Sequence, residues 1–175
     1  MIKYNLEEAI QFLERTPLLL SLQLKDLPIK WTNSNEGPET WSAFDVLGHL
    51  IHGENTDWVA RIEIILSDSE KKTFEPFDRF AQMQESVGKT MNQLLEEFIV
   101  SRRKNLAYLR SKNITENDLG KVGIHPKFGS VTLRNLLATW VAHDLNHLSQ
   151  INRVLANQYK EEVGPWSEYL RIINK

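Results

Sequence analysis

Two of the five histidines in this 175-residue chain stand four positions apart, in the segment TWVAHDLNHLSQINRVL. On an α-helix, His143 and His147 share one face with the apolar residues Leu136, Trp140 and Val154. Imidazoles one helical turn apart can bind the same divalent ion, as they do in helical zinc sites. The alternative is that each ring hydrogen-bonds a neighbouring group inside the fold. Spacing alone does not choose between these interpretations, because two ligands do not complete a metal site.

A third ligand has to come from another helix, and the segment VLGHLIHGENTDW offers His49 and His52. His49 lies on a face of small and apolar residues that another helix can approach, which makes it the better candidate, although it could also be a histidine at the margin of its helix. His52 lies in a polar stripe, which favours a surface position or a supporting role. His125, in the turn HPKFG, is interpreted as an exposed turn residue. The candidate metal ligands are therefore His49, His143 and His147.

Several polar residues near these histidines need partners of their own. Asp144 and Asn146 could orient an imidazole through its second nitrogen, or both could face solvent. Glu54 lies on an apolar helix face, where a carboxylate needs a partner, and Arg102 or Asn105 could supply it. The tryptophans at positions 41, 58, 140 and 166 are interpreted as packing residues.

Composition limits the classes of function. The chain has no cysteine, so disulfides, thiolate metal sites and a cysteine nucleophile are excluded. A net charge of -2 is not the electrostatic footprint of a nucleic-acid-binding protein. The basic run SRRKN is interpreted as a solvated helix face. No apolar run reaches the roughly 18 residues of a membrane span, and the acidic N-terminus is unlike a signal peptide, so we expect a cytoplasmic protein.

The length fits one domain spanning residues 1–175. Apolar residues recur at helical spacing from Asn5 to Leu24, and Pro17 on that face predicts a bend or break near residue 16. A loop follows over KDLPIKWTNSNEGPET. Ser42 begins a second predicted helix that continues to about Leu66, with a capping box completed by Asp45.

A third helix is predicted from about Glu85 to Arg110, without an internal breaker and with Val87 on its apolar stripe. The segment KVGIHPKFGSVTL predicts a short hairpin or extended loop. Thr132 is the expected N-cap of a fourth helix running to Gln158, and the tail VGPWSEYLRIINK is expected to pack on the body as a short helical turn. The pattern predicts an all-α fold, a four-helix bundle with a hairpin before its last long helix.

Three segments, WSAFDVLGHLIHGENTDWVARI, HPKFGSVTLRNLLATWVAHDLNHLSQI and GPWSEYL, resemble the DinB-like, or YfiT-like, superfamily in the same order along the chain. The resemblance covers nearly the whole sequence. It implies an up-down-down-up four-helix bundle in which three histidines bind a divalent metal at one end. Carried over by position, these histidines are His49, His143 and His147, and all three are present. The resemblance gives His125 no ligand role.

Three imidazole ligands leave coordination positions open, which is typical of a catalytic metal site. We expect zinc or nickel, with iron and manganese as alternatives. The resemblance implies a metal-dependent enzyme acting on a small molecule, either a transferase that uses a low-molecular-weight thiol or a hydrolase. The alternative is a non-catalytic metal-binding or stress-response bundle protein. The sequence does not identify the substrate or the reaction, nor any catalytic group besides the metal.

We also expect a symmetric homodimer. The second predicted helix carries Val46, Leu50 and Ile64 outside its main apolar stripe, and these side chains need a partner surface. The alternative is that the loop before this helix and the C-terminal tail cover them within one chain. No nucleic-acid or membrane partner is expected.

Overall fold

Four long helical segments dominate the computed structural model, which describes residues 2–174. The elements in chain order are α1 Leu6–Leu24, α2 Ile29–Thr32, α3 Ala43–Thr56, α4 Trp58–Leu66, α5 Gln82–Glu85, α6 Met91–Ser111, α7 Glu116–Leu119, β1 Val122–His125, β2 Gly129–Thr132, α8 Leu133–Asn157 and a 3-10 helix Gly164–Tyr169. None of the described helices has the length and apolar character needed to cross a membrane.

The long helices form an up-down-down-up bundle. α1 packs on α6 and α8, and α3 packs on the same two helices, so α1 and α3 lie at opposite corners. The side chain of Asn92, at the start of α6, bonds Asp26, just beyond the end of α1, so these two helices are antiparallel. Gln23 bonds Asn152 near the ends of α1 and α8, which run parallel. The all-α bundle predicted from the sequence is thereby confirmed.

Of the bend or break predicted near residue 16, the break was wrong, because α1 continues as one helix to Leu24. Pro17 has no N–H to donate to the carbonyl of Leu13, one turn earlier. The guanidinium of Arg102 donates to that carbonyl instead, at 2.8 Å. A donor from a neighbouring helix thus satisfies the buried carbonyl and replaces the hydrogen bond that the proline cannot form.

Two other helix boundaries were predicted wrongly. The second helix is interrupted at Asp57, whose φ of -113° and ψ of -66° separate α3 from α4. The third begins only at Met91, after Gly88 takes a left-handed conformation with φ of 76° and Thr90 forms a capping box with Gln93. Val87, placed by the sequence on the apolar stripe, is 71% exposed in the preceding turn. The capping box of Ser42 and Asp45 is confirmed.

The hairpin and the last long helix were predicted correctly. β1 and β2 pair antiparallel across a turn at residues 126–128, and Ile124 adds a bridge to Thr73 in the 67–81 segment. Gly123 is required here, because a Cβ atom would lie 2.5 Å from the ring of Phe74. Thr132 ends β2 and caps α8 through a capping box with Asn135. The hairpin therefore delivers the chain directly to the helix that carries His143 and His147.

Two apolar clusters form the core, one at each end of the bundle. Val46 and Leu50 are buried within the chain, and Ile64 packs partly against the core, so these side chains do not supply the association surface inferred from the sequence. The tail forms the expected short helical turn, at Gly164–Tyr169, but does not pack as expected: Trp166 is 70% exposed, and among Trp166, Tyr169, Leu170 and Ile173 only Ile173 is buried.

Candidate metal centre

The structure brings the imidazoles of His49, His143 and His147 together. Nε2 of His143 lies 3.3 Å from Nε2 of His49 and 3.1 Å from Nε2 of His147. One ligand atom from each ring falls within 4.8 Å of the others, a grouping that could hold a metal ion. His49 and His147 are buried, and His143 is partly buried. The three residues placed together by spacing and by resemblance thus share one point between α3 and α8.

The protonation of the cluster suits cation binding. Burial, together with the neighbouring imidazoles, lowers the pKa values of His49 and His143 to about 3. Burial also lowers the pKa of His147. Nδ1 of His147 lies 2.8 Å from Oε1 of Gln150, an acceptor, so Nδ1 carries the proton and Nε2 presents its lone pair to the other rings. At neutral pH the cluster therefore offers uncharged ring nitrogens whose lone pairs can bind a cation.

Close packing of α5 against α3 fixes the backbone beside His49. Gly48 makes this approach possible, because a Cβ atom there would lie 2.5 Å from Oγ of Ser86 and 3.3 Å from Cβ of Gln82. The indole ring of Trp41 packs against the imidazole of His49, with ring centres 4.9 Å apart. His49 therefore lies between α5, Ser86 at the end of that helix and the indole ring of Trp41.

The other two histidines lie apart from this convergence. His52 is buried, which corrects the surface position favoured by the sequence, and its Nδ1 lies 3.0 Å from Oε2 of Glu85. This contact ties α3 to α5. His125 lies in the turn as predicted but is partly buried rather than exposed, and its Nδ1 accepts the backbone N–H groups of Lys127 and Phe128, which organises the hairpin turn.

A buried ionic network underlies the cluster. Arg102 forms paired hydrogen bonds to Asp144 at 2.6 and 3.0 Å and a third to Glu54 at 2.8 Å. Asn105 and the indole N–H of Trp140 also donate to Glu54. The predicted partners of Glu54 are therefore confirmed. Burial raises the pKa of Glu54. Burial by itself would lower the pKa of Arg102, but the carboxylates of Asp144 and Glu54 raise it, so Arg102 stays cationic.

Of the two roles suggested for the residues flanking the histidines, Asn146 takes the solvent-facing one, whereas Asp144 takes neither. Asp144 is 2% exposed and bonds Arg102, and Asn146 is exposed to solvent. Neither forms a hydrogen bond to an imidazole in residues 2–174, where Gln150 supplies that contact for His147. Gln150 stands three positions after His147, and this helical spacing was the signal in the sequence that could have identified it.

An open cleft of about 590 Å³ leads to the three histidines. Five aromatic side chains are among its lining residues: Trp41, Trp58, Phe74, Phe77 and Phe128. Trp58 is 5% exposed and stacks on Trp140, with its ring centre 5.2 Å from that of His143. The packing role predicted for Trp58 and Trp140 is confirmed. Trp41 and Trp58 also line the cleft, and Trp166 lies on the surface instead of packing.

Asp57 contributes a carboxylate to the cleft at the break between α3 and α4. It pairs with Arg61 at 2.7 Å, with only 12% of its side chain exposed. Burial raises the pKa of Asp57 to about 6, more than the Arg61 guanidinium lowers it. This carboxyl can therefore exchange a proton close to neutral pH. The sequence predicted one continuous helix through Asp57, so it gave no reason to identify this residue as part of the site.

Comparison with known proteins agrees with this architecture. No protein of curated function matches the sequence. YfiT from Bacillus subtilis, described as a probable metal-dependent hydrolase with an unusual four-helix bundle topology, superposes with a TM-score of 0.70 and 19% sequence identity over 94% of this chain and 90% of its own. The sequence model of the DinB superfamily matches residues 11–151, most of the chain. The fold, the histidine cluster and this match together show that the chain belongs to the DinB superfamily.

Proposed function

We propose that His49, His143 and His147 bind one divalent metal ion through their Nε2 atoms, and that the protein is a metal-dependent enzyme acting on a small molecule. The convergence of three uncharged imidazole nitrogens beside an open cleft carries this proposal. Imidazole suits zinc and nickel, with iron and manganese as alternatives. Three protein ligands leave room for a further group, as in catalytic sites.

The side chains around the cluster have separable tasks in this proposal. A divalent ion supplies Lewis-acid chemistry and lowers the pKa of a thiol or water molecule beside it. Gln150 holds His147 in the tautomer that directs Nε2 inward. Trp41 and Trp58 restrict water around the reacting groups. Asp57, with its pKa of about 6, accepts or returns a proton during the reaction.

The first reaction that we propose is the transfer of a small thiol to an electrophile: the thiol loses its proton, its sulfur bonds to the electrophilic carbon, and the leaving group departs from that carbon with the bonding electron pair. The chain has no cysteine, so the thiol must arrive with the substrate. Hydrolysis is the second reaction, and the description of YfiT as a probable metal-dependent hydrolase supports it. Both reactions need a nucleophile activated at the same place.

A non-catalytic metal-binding protein is the competing function. A structural site is normally closed by a fourth protein ligand. The opening of the histidine cluster onto a cleft of about 590 Å³ favours the enzyme over this alternative.

Metal analysis combined with an activity screen tests the proposal. We expect about one metal ion per chain in the wild type and in His125→Asn, and none in His143→Asn. The screen pairs cysteine with 1-chloro-2,4-dinitrobenzene for thiol transfer and uses p-nitrophenyl acetate for hydrolysis. Activity that disappears with chelator and returns with metal supports the enzyme. Stoichiometric metal without either activity favours the non-catalytic alternative, and metal retained by His143→Asn contradicts the site.

A further inference from the structure

The charged side chains of the cleft are mostly cationic. Arg61, Arg79 and Lys127 line it, and among the described lining residues Asp57 is the one carboxylate. Asp57 pairs with Arg61 at 2.7 Å, so those two charges offset each other. Arg79 and Lys127, both exposed, remain as a positive excess among the residues that line the cleft.

Arg79 is positioned by aromatic rings rather than by an acid. Its guanidinium carbon lies 5.7 Å from the ring centre of Trp41 and 5.3 Å from that of Phe80. Within residues 2–174 it forms no ion pair. Trp41 also packs against His49, so the guanidinium stands one ring away from the cluster.

Lys127 brings a second cation from the hairpin turn. Its Nζ lies 5.7 Å from the ring centre of Phe128, and that ring stacks on His125 at 4.5 Å. Lys127 also has no acidic partner in the described part of the chain, and its charge acts on His125. The two unpaired cations therefore come from separate segments that border one cleft.

Flat aromatic side chains line the same cleft as these cations. Trp41, Trp58, Phe74, Phe77 and Phe128 all border the space. Aromatic rings bind flat apolar groups through dispersion and through the release of water. A ligand that fills this space needs an apolar body, and it gains further if it carries a negative charge near the two free cations.

We propose that the cleft binds a small molecule with a flat apolar body and a carboxylate, and that Arg79 and Lys127 hold the carboxylate. This inference rests on the proposed function in taking the cleft as the substrate site. A guanidinium presents several N–H donors to a carboxylate and binds it through charge-assisted hydrogen bonds. The uncharged imidazoles provide no negative charge to repel such a ligand, and a bound divalent cation would add further attraction.

Binding of a matched pair of probes to chelator-treated protein tests this inference without activity. The probes are 1-naphthoate and its neutral counterpart 1-naphthamide, titrated by calorimetry at low ionic strength. We expect naphthoate to bind about tenfold more tightly than naphthamide, and Arg79→Gln or Lys127→Gln to remove most of that preference. Arg79→Lys should retain part of it. Arg15→Gln is the matched control, since Arg15 stacks on Phe12 outside the cleft and should leave both affinities unchanged.

Three results would overturn the inference: equal affinity for the two probes, no binding of either, or a preference that survives in the Arg79→Gln/Lys127→Gln double variant. Circular dichroism of each variant establishes that it is folded. The proposed metal site is judged separately, by the metal content of His143→Asn. A chain that prefers naphthoate but binds no metal would contradict the proposed function and leave the anion site standing.

Discussion

The guanidinium of Arg102 donates to the backbone carbonyl of Leu13 across the bundle, at 2.8 Å. That carbonyl would normally accept the N–H of residue 17, which is proline. Arg102 therefore completes the hydrogen bonding of α1 while also neutralising the buried Glu54 and Asp144. One side chain thus links α6 to α1, α3 and α8.

Replacement of Arg102 by methionine should destabilise the protein strongly. It would leave two carboxylates and the Leu13 carbonyl without their buried partner, and breaking a buried ion pair in this way costs roughly 3–5 kcal/mol. Urea denaturation measures the free energy of unfolding. The neighbouring Arg103 is exposed, so Arg103→Met should change it by less than about 0.5 kcal/mol. Similar losses in both variants would contradict this role for the network.

Removal of the metal should lower the melting temperature without unfolding the protein. The two apolar clusters do not depend on the histidines, whereas an ion present at about 100 times its dissociation constant adds roughly 2.7 kcal/mol. For a chain of this size we expect a decrease of roughly 5 to 10 °C. Far-ultraviolet circular dichroism with and without chelator measures it. Global unfolding at room temperature would show that the site is structural.

The metal-free protein should lose stability in mild acid. The pKa values of His49 and His143 are about 3 in the folded state and 6.5 for a free imidazole, so the unfolded chain binds more protons between these limits. The free energy of unfolding should therefore be greatest above pH 6.5 and fall as the pH decreases toward 3, by up to about 1.4 kcal/mol per pH unit for each histidine. Urea denaturation from pH 7 to 4.5 measures the slope.

His143→Phe is the matched variant for this measurement, because it removes one of the buried imidazoles whose pKa is lowered and keeps an aromatic side chain. Its stability should depend less steeply on pH than that of the wild type. Equal slopes in the two proteins would show that the buried imidazoles are not the source of the acid sensitivity.

Gln150 should tune metal affinity through His147. Gln150→Leu removes the acceptor at 2.8 Å from Nδ1, which allows the other tautomer, and we expect metal affinity to fall by roughly 10- to 100-fold. Gln150→Glu preserves an acceptor and should restore most of it. Competition with a chelating dye measures the dissociation constant. An unchanged affinity in Gln150→Leu would mean that this hydrogen bond does not orient the ligand.

The homodimer expected from the sequence stays a prediction. Its interface would be formed by exposed apolar residues of α1 and not by Val46, Leu50 and Ile64. Leu18 and Leu22 of α1 are 63% and 87% exposed, and a second copy of the chain would bury them. Light scattering should give twice the 20.3 kDa of one chain, and Leu18→Lys/Leu22→Lys should give a monomer. Val87→Lys changes an exposed apolar residue elsewhere and serves as the control. A wild-type mass of one chain at all concentrations would contradict the dimer.

The sequence by itself determined the helical class, the caps at Ser42 and Thr132, the hairpin and the shared face of His143 and His147. These features follow from local rules, because capping pairs act within one turn and apolar periodicity assigns each helix a buried face. The need of Glu54 for a partner was equally local, since a carboxylate on an apolar stripe cannot stay unpaired.

The tertiary structure decided the rest. Local rules predicted a bend or break at Pro17 and no interruption at Asp57, but the distant Arg102 replaces the hydrogen bond that the proline lacks, and the interruption places Asp57 in the cleft. The cleft itself combines side chains from the bundle, the 67–81 segment and the hairpin, so Arg79 and Lys127 come to line one cleft with the histidines only after folding. Helical periodicity relates residues a few positions apart. The burial of a side chain and the balance of charges around it depend on contacts with residues that are distant in the sequence.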